Sequence, residues 1–118
     1  MTWPEELISA DRVALPTGSV EPGWVRTVGD RVAAAGGGEP PAAANRQLTG
    51  TLVPGFVDVH CHGGGGASFT TGDAGDAAAV VAAHRAHGTT SVVASLVTDT
   101  LDRLEAAVLG LAPLVGEG

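Results

Sequence analysis

Apolar positions in the first fifty residues occur in short runs that alternate with polar positions and are separated by turn-forming residues. The clearest run, residues 24–28, alternates in this way, and Gly29-Asp30 then leads into a second apolar run, residues 31–35. A two-residue connection of this composition between two such runs is typical of a β-hairpin. The pattern therefore predicts that residues 1–50 form a small region rich in β-strands.

The pattern changes after residue 50, where longer apolar runs begin to alternate with segments of helical character. Residues 56–62 and 89–97 are apolar and rich in β-branched side chains, which is typical of buried strands in a covered parallel sheet. An Ala-rich segment that begins at Asp73, or alternatively at Gly75-Asp76, and runs through His87 is predicted to be a helix, with Gly88 at its end. The resulting strand–helix–strand order favours an α/β architecture.

A second helix is predicted to begin at Asp99 or Thr100 and to run to about residue 111. Its expected apolar face consists of side chains three or four positions apart, namely Leu101, Leu104, Val108 and Leu111. Two strand–helix units are therefore present. A complete (β/α)₈ barrel contains eight such units and roughly 250 residues, so the sequence is long enough for only the beginning of one.

Composition and charge exclude several classes of partner. The chain has a formal net charge of -7, with six Arg and no Lys, so it lacks the basic surface needed for nucleic acid or for an anionic membrane. It has no run of 18 apolar residues that would predict a membrane span, and no signal peptide is recognised. A single cysteine, Cys61, excludes an internal disulfide and favours the reducing cytoplasm.

The strongest chemical signal is the sequence Val-Asp-Val-His-Cys-His-Gly at residues 57–63. Because side chains two apart on a strand share one face, Asp58, His60 and His62 are expected to point the same way. Two imidazoles at this spacing can converge on one divalent ion, and imidazole is a good zinc ligand. Asp58 is expected either to orient one imidazole through a hydrogen bond or to be satisfied by backbone donors.

Other potential ligands are assigned structural roles by the same pattern. Cys61 is expected on the opposite strand face, packed under a helix as a small apolar residue. His84 and His87 could bind a metal in principle, but a surface position on the first helix beside Arg85 is favoured. The Gly-rich run at residues 63–66 is not followed by Gly-Lys-Ser or Gly-Lys-Thr, so it is not a P-loop.

These motifs together resemble the N-acetylglucosamine-6-phosphate deacetylases of the amidohydrolase superfamily. The resemblance extends along essentially the whole chain. Residues 52–62 are similar to the superfamily's first barrel strand. Three segments narrow the resemblance to the deacetylases, namely residues 62–66, 87–91 and 94–98. Two N-terminal segments fit the small β-sandwich domain of these enzymes, namely residues 7–13 and 29–32.

The resemblance implies an α/β fold in which residues 1–50 are part of a β-sandwich domain and residues 51–118 are the first two β-α units of a (β/α)₈ barrel. It implies hydrolysis of the acetamide of a phosphorylated amino sugar, with His60 and His62 as ligands of a divalent metal. Zinc is the expected ion, with iron or another transition metal as the alternative. A homodimer is expected for a full-length member.

The resemblance also implies that the site is incomplete within these 118 residues. The family's further ligands, its catalytic Asp and its phosphate-binding residues have no counterpart here, so the chain alone is expected to be inactive. Two other hypotheses remain. One is a different amidohydrolase, against which the Gly run after His62 argues, and the other is a non-catalytic remnant or binding module.

Overall fold

The computed structural model describes residues 4–116, in which strands predominate and two α-helices are present. The chain divides into two compact units, one ending at Pro54 and the other beginning at Gly55. Residues Thr51 and Leu52 complete the last strand of the first unit. The observed fold is therefore mixed α/β, in agreement with the α/β class predicted from the sequence.

The first unit is a single sheet built around one long strand. Its five strands are β1 (Glu5–Leu15), β2 (Gly18–Val20), β3 (Gly23–Val28), β4 (Arg31–Gly37) and β5 (Arg46–Leu52). Strand β1 pairs antiparallel with β2 and β3, while β5 pairs parallel with β1 and β4 pairs antiparallel with β3. The predicted hairpin is confirmed, because Gly29-Asp30 connects β3 and β4 and Gly29 adopts a φ of 60°.

The interior of the first unit is formed by β1. Leu7, Ala10 and Val13 are its buried apolar side chains, spaced by three residues rather than by two. The register between β1 and β5 shifts between Ala10 and Arg12, where β5 contains one additional residue. The Asn45 side chain closes one end of this region by accepting a hydrogen bond from the Leu7 N–H at 2.7 Å.

The second unit contains four short strands and two helices. They are β6 (Phe56–Cys61), β7 (Gly63–Gly64), β8 (Ala67–Ser68), α1 (Ala74–Arg85), β9 (Thr89–Ala94) and α2 (Leu101–Leu111). Strands β6 and β9 pair parallel, as the strand–helix–strand order predicts, and β7 and β8 form a small antiparallel hairpin. The core contains Cys61, Phe69, Ala77 and Val80.

Both helices begin where the sequence predicts. Asp73 precedes α1 and its side chain accepts a hydrogen bond from the Asp76 N–H, which stabilises the first turn. Thr100 precedes α2, and Asp99 accepts a hydrogen bond from the Thr100 N–H. Within the described part of the chain, neither helix has both the length and the apolar character required to cross a membrane.

The predicted burial of β6 and β9 is wrong for several of their apolar side chains. Phe56, Val59 and Val93 are 58%, 71% and 54% exposed. Among residues 4–116 this sheet has two strands, and the packed side chains Cys61 and Val92 belong to the core that contains α1. The remaining apolar side chains face solvent because no described element covers them.

The predicted apolar face of α2 is only partly correct. Leu104 and Leu111 are half-buried, whereas Leu101 and Val108 are 84% and 54% exposed. The residue at the centre of the packed face is Ala107, which is buried. A side chain at Gly72 would come within 2.6 Å of the Ala107 Cα atom, so the helix approaches this turn closely and a small residue is required there.

Candidate metal centre

The end of β6 carries the predicted ligand pair. His60 lies on the strand, and His62 follows its last residue, immediately before the β7–β8 hairpin. The Ser95 N–H donates to the Cys61 carbonyl at 2.8 Å, so the backbone between the two histidines is held against the segment that follows β9. Ser68 and Phe69 also donate hydrogen bonds to the His62 carbonyl, at 3.2 and 3.0 Å.

The two imidazoles converge as the spacing predicts. Their Nε2 atoms lie 3.1 Å apart, and the rings meet edge to face at 74° with centroids separated by 4.9 Å. Both residues are exposed. Two nitrogens bound tetrahedrally to one zinc ion at about 2.0–2.1 Å would lie roughly 3.3–3.4 Å apart, so little movement is needed for both rings to bind the same ion.

Asp58 contacts the backbone of the ligand segment rather than an imidazole ring. Its Oδ1 atom accepts a hydrogen bond from the His60 N–H at 3.1 Å. The carboxylate is half-buried. Of the two roles expected for this residue, the described hydrogen bond corresponds to a carboxylate satisfied by a backbone donor, which also fixes the chain at the first histidine.

Cys61 is buried against α1, as predicted, but it is accompanied by a residue that the sequence pattern assigned to the surface. The Cys61 side chain is 4% exposed and packs with Ala77 and Val80. Its Sγ atom lies 3.3 Å from His84 Nε2 and 3.6 Å from the Gly63 carbonyl oxygen. His84 is therefore half-buried and directed toward the strand, and its predicted surface position is wrong.

The other predicted helix histidine, His87, lies in the turn that follows α1, and its surface exposure is as predicted. His87 is exposed, and its Nδ1 atom lies 2.9 Å from the Ala83 carbonyl oxygen. The position of His84 could have been found from helical periodicity. Ala77, Val80 and His84 are spaced by three and four residues and so lie on one face of α1, which makes His84 a neighbour of two buried side chains.

A second group of potential metal ligands includes two side chains that are expected on opposite faces of β6. The potential ligand atoms of Asp58, Cys61 and His84 all lie within 4.8 Å of one another. Strict alternation would place Asp58 and Cys61 on opposite faces. The register between β6 and β9 shifts between these two residues, with Asp58 opposite Val92 and Cys61 opposite Ala94, so β6 contains one additional residue and alternation fails.

Comparison with known proteins relates the whole chain to solved structures. No family model matches it. A point mutant of N-acetyl-D-glucosamine-6-phosphate deacetylase from Mycobacterium smegmatis, solved in complex with N-acetyl-D-glucosamine-6-phosphate, is 49% identical over 97% of this chain, with a TM-score of 0.92. A second structure of the deacetylase from Mycobacterium smegmatis is 49% identical over 96% of the chain, with a TM-score of 0.91.

One curated relative carries a related name. N-acetylgalactosamine-6-phosphate deacetylase from Shewanella sp. (strain ANA-3) is 34% identical over 71 residues, or 59% of this chain. The chain spans 30% and 33% of the two solved chains and the match covers 18% of the curated relative. The chain is thus homologous to the N-terminal part of the N-acetylglucosamine-6-phosphate deacetylases.

Proposed function

We propose that this chain supplies the first metal ligands of an enzyme that hydrolyses the acetamide of N-acetylglucosamine 6-phosphate to glucosamine 6-phosphate and acetate. The identity of 49% over nearly the whole chain supports the reaction, since both matched structures are named as deacetylases. One of them contains N-acetyl-D-glucosamine-6-phosphate, which supports a phosphorylated amino sugar as the substrate.

The observation that carries the proposal is the 3.1 Å separation of His60 Nε2 and His62 Nε2. In this proposal both imidazoles bind one divalent ion, for which zinc fits best and iron or another transition metal is the alternative. Such an ion polarises an amide carbonyl and lowers the pKa of bound water. The part played by Asp58 is to hold the backbone at His60, through the hydrogen bond that it accepts from the His60 N–H.

The proposed centre needs ligands that these 118 residues do not supply in one place. A catalytic zinc site has three protein ligands and one open position, and the exposed pair His60 and His62 supplies two. The third ligand and the catalytic Asp would come from a segment equivalent to the rest of the deacetylase chain. For this reason, the proposal includes no deacetylase activity for the 118-residue chain on its own.

The architecture that accompanies this function is the beginning of a (β/α)₈ barrel, preceded by part of a small β-sandwich domain. The predicted division into residues 1–50 and 51–118 belongs to this proposal. The exposed apolar residues of the β6–β9 sheet support it, because further strands and their helices would cover them in a closed barrel. A homodimer and a cytoplasmic location remain predictions for the complete enzyme.

The choice between two amino sugars rests on unequal similarity. The structures named for the glucosamine derivative match nearly the whole chain at 49% identity, whereas the relative named for the galactosamine derivative matches 71 residues at 34%. The two sugars differ in the configuration of one hydroxyl group. The stronger match therefore favours N-acetylglucosamine 6-phosphate.

A chimeric enzyme tests the proposal. The chain would replace the matching segment of the Mycobacterium smegmatis deacetylase, and acetate release would be measured with both amino-sugar phosphates. The expected result is turnover of N-acetylglucosamine 6-phosphate in excess of the galactosamine derivative, with none from the 118-residue chain. A folded chimera that is inactive on both sugars would contradict the proposal and favour a different amidohydrolase or a non-catalytic role.

A further inference from the structure

A second set of potential ligands lies on the buried side of β6. Cys61 is 4% exposed, and Asp58 and His84 are half-buried. Their ligand atoms lie within 4.8 Å of one another, and none of them comes from the His60–His62 pair. A carboxylate oxygen, a thiol sulfur and an imidazole nitrogen are the three donor types that zinc accepts in proteins.

The backbone of this region is shaped to bring the three groups together. The extra residue in β6 places Asp58 and Cys61 within reach of each other although they are three positions apart. Gly64 provides the space for the imidazole, because a Cβ atom at that position would lie 2.7 Å from His84 Nε2. Any residue other than glycine would therefore displace the His84 ring or the hairpin that passes beside it.

The distances around the sulfur fit tetrahedral metal binding. With metal–sulfur and metal–nitrogen bonds of about 2.3 and 2.0–2.1 Å, two such ligands lie roughly 3.6 Å apart. Cys61 Sγ lies 3.3 Å from His84 Nε2, and the Gly63 carbonyl oxygen lies 3.6 Å from the sulfur and 3.1 Å from the nitrogen. The carbonyl is therefore positioned as a fourth donor, and the Asp58 carboxylate lies within 4.8 Å of the ligand atoms of Cys61 and His84.

We propose that Asp58, Cys61 and His84, with the Gly63 carbonyl, form a zinc-binding site that joins β6 to α1. Binding replaces the sulfur–hydrogen bond of Cys61 with a sulfur–zinc bond and releases the thiol proton to solvent. The thiolate and imidazole favour zinc over magnesium or calcium, which prefer oxygen ligands. The site does not depend on the proposed deacetylase reaction, and it exists in the chain of 118 residues.

X-ray absorption of the zinc-loaded 118-residue chain tests the proposal directly. The double variant His60→Ala, His62→Ala is measured alongside the unchanged chain, so that zinc on the exposed pair cannot hide the second site. The expected result in both is a sulfur neighbour at about 2.3 Å from zinc. A first shell of nitrogen and oxygen alone, in both proteins, would overturn the proposal and leave a hydrogen-bonded thiol and imidazole without a metal.

Variants of single residues separate the contributions of the ligands. Cys61→Ala should remove the sulfur neighbour, and His84→Gln should weaken zinc binding in the His60→Ala, His62→Ala background by at least about tenfold. Gly64→Ala retains all of the ligands but crowds His84, so it should also weaken binding. His87→Gln, at an exposed histidine in the turn after α1, is the matched control and should leave the affinity unchanged.

The test remains decisive if a variant fails to fold. The sulfur distance in the unchanged chain needs no substitution, and circular dichroism shows which variants retain their helices. In a folded His84→Gln variant, an unchanged zinc affinity would exclude the imidazole as a ligand and overturn the site as proposed. Loss of affinity in that variant, with the sulfur neighbour present in the unchanged chain, would support it.

Discussion

His60 Nε2 lies 3.1 Å from His62 Nε2, and the Asp58 carboxylate accepts a hydrogen bond from the His60 N–H. The first contact brings two good zinc ligands to one point at the end of β6. The second ties the His60 backbone to a side chain two residues earlier on the same strand. Together they place the two proposed ligands on a hydrogen-bonded segment rather than on a free loop, which favours a fixed geometry for the metal binding that we propose.

Replacement of either histidine of the pair should weaken metal binding. The Cys61→Ala background isolates this pair from the buried cysteine. In that background His60→Ala or His62→Ala should lower zinc affinity by at least about tenfold, since even residues outside the ligand set change affinity by 10–100-fold. Competition with a coloured chelator measures the affinity. Equal affinities for His60→Ala and the control His87→Ala would count against the pair as ligands.

The close approach of α2 to the turn at Gly72 should make that glycine sensitive to substitution. Gly72 and Gly66 have φ angles of 67° and 84°, so alanine costs roughly 1–2 kcal/mol of backbone strain at either position. An added Cβ atom at Gly72 also meets the Ala107 Cα at 2.6 Å, whereas nothing lies within 4 Å at Gly66. Urea unfolding should therefore show Gly72→Ala to be the more destabilising substitution, and equal losses would show that the helix does not pack there.

Truncation of the core should destabilise the second unit. Val80 on α1 has no exposed surface, whereas Val81, the next residue along, is 37% exposed. Val80→Ala should lower the free energy of unfolding by roughly 2 kcal/mol, because two buried methyl groups are lost and a cavity forms. Val81→Ala should cost clearly less. The comparison uses urea unfolding followed by circular dichroism, and a larger loss for Val81→Ala would mean that the helix is rotated about its axis.

The uncovered side chains of the β6–β9 sheet should promote self-association of the 118-residue chain. Val59 and Val93 are 71% and 54% exposed, and exposed apolar clusters at sheet edges favour aggregation. The double substitution Val59→Thr, Val93→Thr should raise the highest concentration at which light scattering still finds the chain to be a monomer. The matched substitution Val80→Thr, at a buried position, should lower this highest concentration. A higher limit for Val80→Thr than for the double variant would contradict the described exposure.

Local features of the fold could be predicted because each depends on a few neighbouring residues. The β3–β4 hairpin follows from Gly29-Asp30 between two alternating runs, and the start of α1 follows from the capping side chain of Asp73. The convergence of His60 and His62 follows from the two-residue period of a strand. None of these requires knowledge of distant contacts.

Features that depend on tertiary packing could not be predicted in the same way. The additional residue in β6 is set by pairing with β9, and without it Asp58 and Cys61 would be expected on opposite faces. The contact of His84 with Cys61 joins residues 23 positions apart in sequence. The exposure of Phe56 likewise depends on which elements surround the sheet, and a buried strand and an uncovered one have the same apolar sequence.

The most direct test of the metal-dependent deacetylase function is acetate release by the chimeric enzyme with His60 and His62 both replaced by Ala. The predicted result is that turnover of N-acetylglucosamine 6-phosphate falls by more than roughly a hundredfold and added zinc does not restore it, while the control His87→Ala retains the parental rate. Undiminished turnover in a folded His60→Ala, His62→Ala chimera would contradict the assignment of this pair as ligands of the catalytic metal.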